Sequence, residues 1–180
     1  MKLLFLLLFL SLSGKEPSDT GIKYRTLTWA DFKGKIDKND PFSAALTTCQ
    51  FEFTWEDNDG HFTYGVVAYF LPYSSYVRVK SDEVLRHEQT HFKIAYLTAL
   101  KCNRDLLTLQ DGDSSTRKEA DRFFNFYTAE RNSMNARLDS YTDGGLDREV
   151  EKNWEYQISQ ELSKLETTLK AANGRNSKNP

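Results

Sequence analysis

The sequence predicts an α+β fold: an amino-terminal antiparallel or mixed β-sheet of about four strands, then three helices. Three observations predict it. Across residues 23–80 apolar side chains recur largely at alternate positions, the period of a half-buried strand. At Ser81 the period lengthens to that of a helix and stays helical to residue 172. Only two glycine-containing breaks interrupt it, at Asp111-Gly112-Asp113 and at Gly144-Gly145.

The elements follow in order. Residues 24–29 alternate and read as a first strand, and the polar stretch 33–41 reads as a loop. Residues 43–55 carry Leu46, Phe51, Phe53 and Trp55 at alternate positions, and 62–71 form a second alternating run. Between them Asp57-Asn58-Asp59-Gly60 is a turn cluster, so the two runs predict a hairpin. Residues 75–80 set Val77 and Val79 against polar neighbours and give a short fourth strand. Ser81 then offers an N-cap, with Asp82 and Glu83 suited to the helix dipole in the first turn. The second helix stripes Ala120, Phe123, Phe124, Tyr127, Met134 and Leu138. The third stripes Val150, Trp154, Ile158, Leu162, Leu165 and Leu169. The polar tail 173–180 is expected to be flexible, leaving one domain over 15–172.

Composition excludes several functions. The chain of 180 residues holds 24 Lys+Arg against 26 Asp+Glu, a net charge of −2, so no positive excess exists to displace counterions from nucleic acid. The same balance argues against a polybasic membrane-surface protein. With 39% hydrophobic and 13% aromatic residues, the chain can build a core. Residues 1–14 place one lysine before an apolar run and then small residues, the layout of a secretory signal peptide. The run is too short to span a bilayer comfortably, so the mature protein is expected to be exported, periplasmic or secreted, without stable membrane insertion. In an oxidising compartment the two cysteines, Cys49 and Cys102, are expected to form one disulfide, contributing roughly 4 kcal/mol.

The chemistry is concentrated at His87-Glu88-x-x-His91. On a helix, histidines four apart project about 40° from one another and can clamp one metal ion. Glu88 beside them is placed to take a proton from a metal-activated water and pass it to a leaving amine. Two of the chain's three histidines fall in the motif. Shuffling this composition produces it only about 0.003 times per chain. On the helical wheel Val84, His87, Glu88, His91, Ala95, Ala99, Cys102 and Leu106 share one stripe, so the histidines face the protein. Buried imidazoles and a buried carboxylate need partners, and a metal satisfies them together. Cys102 lies about 16 Å beyond His91 on that stripe, where a bond to Cys49 would staple helix to sheet.

An open catalytic zinc site needs a third protein ligand. His61 follows the hairpin turn and reads as a strand-edge residue. The better source is the start of the third helix, where Asp147 and Glu151 fall on an otherwise apolar face and periodicity prefers neither.

Three segments resemble a bacterial family of exported zinc metallopeptidases catalogued as domain-of-unknown-function family 922. Residues 27–34, LTWADFKG, resemble its amino-terminal signature L-x-W-x-D-F-x-G, and residues 82–92, DEVLRHEQTHF, its active-site helix. Residues 141–154 line up with its third element, Y-D-x-x-T-x-H-G-x-x-Q-x-x-W. The resemblance implies a zincin-like domain, Zn2+ held by His87 and His91, Glu88 as catalytic base, and a peptide or protein substrate. It places the family's third-ligand histidine at Asp147, its Gly at Arg148 and its Gln at Glu151; its Asp and Thr fall on Thr142 and Gly145, while Tyr141 and Trp154 match. Register therefore favours Asp147 over Glu151 as third ligand, and two histidines with one carboxylate form a workable catalytic zinc set. Tyr141 is a candidate for oxyanion stabilisation or for packing.

The expectation is a zinc-dependent metallohydrolase, a peptidase with Glu88 as general base. By analogy with zincins its substrate pairs with a sheet edge near residues 75–80. The alternative is a non-catalytic exported binding module that keeps a structural or vestigial metal site. A two-histidine, one-carboxylate iron site is a third possibility, disfavoured by the helical i, i+4 spacing and by Glu88.

Overall fold

The computed structural model describes residues 20–109 and 112–176; the expected signal peptide and the end of the tail, 177–180, lie outside them. The fold is α+β. Five short strands, β1 (Ile22–Lys23), β2 (Ala45–Leu46), β3 (Cys49–Asn58), β4 (His61–Phe70) and β5 (Tyr76–Val77), precede three helices, α1 (Asp82–Leu106), α2 (Arg117–Thr142) and α3 (Arg148–Asn176). They form two antiparallel sheets rather than one: β1-β4-β3, and the pair β2-β5.

The predicted hairpin is present, with Cys49 opposite Phe70 and Asn58 opposite His61. Its turn residues Asp59 and Gly60 both have positive φ, 56° and 88°, as the right-handed twist of a two-residue hairpin requires. The first strand is shorter than the alternation implied. Asp31 takes over the backbone after Lys23: it accepts from Thr28 N at 2.8 Å and from both Arg25 guanidinium nitrogens at 3.0 and 2.6 Å. Those bonds fold Trp29–Asp31 into a 3-10 turn and withdraw the segment from the sheet. Leu27 and Phe32 are nevertheless buried, and Leu27 N donates to Gln89 Oε1 on α1 at 2.6 Å. Gly34 ends this segment against the backbone oxygens of Tyr73 and Ser75, where a Cβ would come within 2.8 Å of both.

Helix α1 is the centre of the molecule. Ser81 caps it as predicted, its Oγ accepting from Val84 N at 3.2 Å. Its Phe92, Ala95, Ala99 and Cys102 pack on Tyr64, Val66, Ala68 and Phe70 of β4. A second core joins its Ile94 and Leu97 to Met134 and Leu138 of α2 and to Ile158, Leu162 and Leu165 of α3. The single apolar stripe expected for α1 is thus too narrow. The helix is covered on both sides, and Thr90 and Thr98 are buried by returning their hydroxyls to the carbonyls one turn back.

The expected disulfide is not formed: Cys49 and Cys102 are both free thiols. Burial pushes the pKa of each thiol up to about 12. Helix and sheet are joined instead by Asn103. Its amide accepts from Val66 N at 2.7 Å and donates to Val66 O at 2.8 Å, occupying a β4 edge position as another strand would.

Replacing Asn103 by Ala strands both backbone groups of Val66 in a partly buried position. A loss of about 2 kcal/mol is expected, read as a lower urea midpoint at unchanged slope. A loss below 0.5 kcal/mol, on the order of an ordinary surface change, would remove this clamp from the account.

Candidate metal centre

Helix α1 brings His87 and His91 onto one face, and α2 runs antiparallel against it. The pairs that meet are an i, i+4 pair from each helix, His87 with His91 and Asn135 with Asp139. Asp139 Oδ1 lies 3.2 Å from His87 Nε2 and 3.0 Å from His91 Nε2, and the two Nε2 atoms are 3.2 Å apart. These three donors form a compact metal-capable group.

The other ring nitrogens face away from that triangle. His87 Nδ1 is 3.0 Å from Glu151 Oε2, and His91 Nδ1 is 3.1 Å from Asn135 Oδ1. Both oxygens are acceptors, so each Nδ1 carries a proton and donates it. When the imidazoles are neutral, both Nε2 lone pairs therefore point at Asp139, the orientation a second shell imposes on metal-binding histidines.

The donor set fits a divalent ion. A tetrahedral ion with bonds of about 2.0 Å separates its donors by about 3.3 Å, close to the three distances found. Charge points the same way. Glu88 and Glu151 are 4% and 5% exposed, and Glu88 Oε2 and Glu151 Oε1 are buried without a hydrogen-bond partner. Three carboxylates, Glu88 and Glu151 buried and Asp139 half-exposed, thus surround two imidazoles, an excess of negative charge that a cation would offset. Burial alone would lower the His87 pKa, but hydrogen bonds to Asp139 and Glu151 outweigh it and push it up to about 9. Burial raises the Glu88 carboxyl above its ordinary value, with His91 and His87 pulling the other way. Asp139 is resisted by burial too, yet the two histidines hold it well below the usual carboxylate range.

The residues expected from the sequence are placed unequally. His87, Glu88 and His91 come together; Asp147 does not join them. It is exposed and caps α3, its Oδ1 accepting from Val150 N at 3.1 Å. Glu151 is close, but on the Nδ1 side of His87 rather than among the converging donors. His61 opens β4 at the hairpin tip, outside the group. Tyr141 is exposed and lies 6.3 Å, ring to ring, from Trp154. Asp139 is the residue that sequence reasoning missed. The available signal was Asn135 and Asp139, two polar residues four apart beside Met134 and Leu138 of the apolar stripe.

The α2–α3 turn adds a constraint. Asp143, Gly144 and Gly145 all have positive φ, and a Cβ on Gly145 would lie 2.9 Å from Cγ of His87. Its bare backbone lets the turn lie against the imidazole. The site opens into a cleft of about 940 Å3. One wall is residues 42–47, the floor is the Ser81–His91 face of α1, and the far wall is Asn135, Asp139, residues 143–146 and Arg148.

No protein-family model matches the chain, and no curated protein or solved structure does.

Two outcomes are expected. Asp139→Asn should lower zinc content well below one per chain by elemental mass spectrometry, whereas Asp147→Asn should leave it unchanged; the reverse pattern would move the third ligand to Asp147. Zinc must also displace the proton that His87 holds with a pKa of about 9. Apparent affinity should therefore rise with pH, by up to about tenfold per unit, and level off near pH 9. Competition titrations in weakly coordinating buffers at pH 6 to 9 measure it, and a flat profile would contradict the proton count.

Proposed function

We propose that this protein is an exported zinc-dependent metallohydrolase acting as a peptidase, with His87, His91 and Asp139 holding the ion. The observation that carries this reading is the buried Glu88 carboxylate, with one oxygen unpartnered, in the same cleft as the converging donors. A divalent ion held by His87, His91 and Asp139 would supply Lewis acidity, polarising a carbonyl and acidifying water. Glu88 takes the proton from the attacking water and returns it to the leaving amine, and its raised affinity for protons suits both directions. Glu151 and Asn135 hold the imidazoles in the ligating tautomer. Three protein donors leave room for water and substrate, which favours catalysis over a closed structural site.

A peptide is favoured over a compact ligand by the size of the cleft, about 940 Å3. Its wall at residues 42–47 includes β2, which pairs with β5 on one side; among the described residues no strand pairs with its other edge. An extended chain can hydrogen-bond to such an edge. β2, rather than residues 75–80, is the edge that this reading assigns to the substrate. Residues 1–14 support export, and no helix among the described residues is long and apolar enough to cross a membrane. The resemblance in residues 27–34 and 82–92 points to the same activity.

Glu88→Gln tests the reading. The variant should keep about one zinc per chain while cleavage of a fluorogenic peptide library falls at least about a thousandfold. Retained turnover in a zinc-loaded variant would exclude Glu88 as the base.

A further inference from the structure

We infer that the cleft selects peptides carrying a large apolar side chain, seated between Phe42 and Leu46 on one wall and Leu146 on the other. The inference rests on the cleft being the substrate site and adds what it prefers. Phe42, Leu46 and Leu146 are 94%, 42% and 78% exposed, and all three line this one cleft. Single exposed apolar residues are ordinary, but three from two separate segments facing one groove form a patch that pays a hydration cost until it is covered.

Each is held there by its backbone. The segment carrying Phe42 is fixed by Asp40, whose carboxylate accepts from Phe42 N and Ser43 N at 3.2 Å each and from Tyr76 Oη at 2.8 Å. Leu46 alternates with the buried Ala45 on β2, so strand geometry turns it outward. Leu146 ends the turn at 143–146, whose Gly145 lies against His87, and Asp147 N bonds back to Thr142 O at 2.8 Å. Both walls are thus anchored independently of any ligand, which keeps the ordering cost of binding low.

The acidic groups that line the cleft, Glu83, Glu88, Asp139 and Asp143, are offset by Arg148, paired with Glu83 at 2.9 Å, and by the cation of the proposed site, so selection falls to the apolar walls. The occupant is therefore an extended peptide with a bulky apolar residue.

The test uses the zinc-loaded full chain carrying Glu88→Gln and two fluorescein-labelled Gly/Ser octapeptides whose central residue is Phe or Ala. By anisotropy the Phe peptide should bind at least about tenfold more tightly than the Ala peptide. Phe42→Ala or Leu146→Ala should erase most of that advantage, and both positions are too exposed for folding to suffer. Selective binding without cleavage by the unsubstituted chain would sink the peptidase reading and leave this inference standing. Equal binding of the two peptides, no binding of either, or an advantage that survives both substitutions would overturn it.

Discussion

The antiparallel contact between α1 and α2 is the constraint on which the site depends. It sets His87 and His91 against Asn135 and Asp139, so that two lone pairs and one carboxylate oxygen meet within 3.2 Å. The same register continues away from the site, where Lys101 bonds to Glu130 at 3.2 Å and Tyr127 pairs with Asp105. Because both helices also share the core of Ile94, Leu97, Met134 and Leu138, apolar packing holds a geometry that electrostatics alone would resist. Buried carboxylates crowd together only when something else fixes their backbones. Here that is the helix pair.

Helix α3 completes the arrangement from the opposite side. It contributes Glu151 to the outer nitrogen of His87, and Lys93 to Glu155 and Lys101 to Glu161 pairs follow the same parallel course. Its first turn explains why Asp147 stays out of the centre. A helix that starts after a glycine turn leaves backbone N–H groups without partners, and Asp147 satisfies one of them at Val150. A carboxylate committed to capping that turn is not also turned toward the imidazoles. The Gly145 backbone, pressed against His87, fills the space where the turn passes closest.

The sheet serves the site by supporting α1 rather than by supplying donors. Asn103 ties the far end of the helix to β4, and the amide of Leu27, in the segment after β1, holds Gln89 nearer its start, so the helix is fixed without a disulfide. The second, two-stranded sheet matters more directly, since β2 provides a cleft wall and Thr47 Oγ1 reaches the Glu88 carbonyl at 3.4 Å. Splitting the strands into two sheets thus separates scaffold from cleft.

Local order was legible in the sequence because it is set by near neighbours. The hairpin turn, the Ser81 cap, the breaks near Gly112 and Gly144, and the pairing of His87 with Glu88 and His91 all depend on residues within a few positions. Asp139 and the roles of Asp147 and Glu151 depend on which helix faces lie against one another, across a separation of 52 residues between His87 and Asp139. Periodicity finds the buried face of each helix but not its rotation or axial register against a partner. Cys49 and Cys102 share that dependence, since even a buried pair on one core needs correct backbone geometry to join. The sequence by itself determined the α+β class and the two histidine donors of one helix, with Glu88 beside them. Only tertiary packing decided the third, because a residue bordering an apolar stripe is turned toward solvent or toward a neighbour according to how the helices cross.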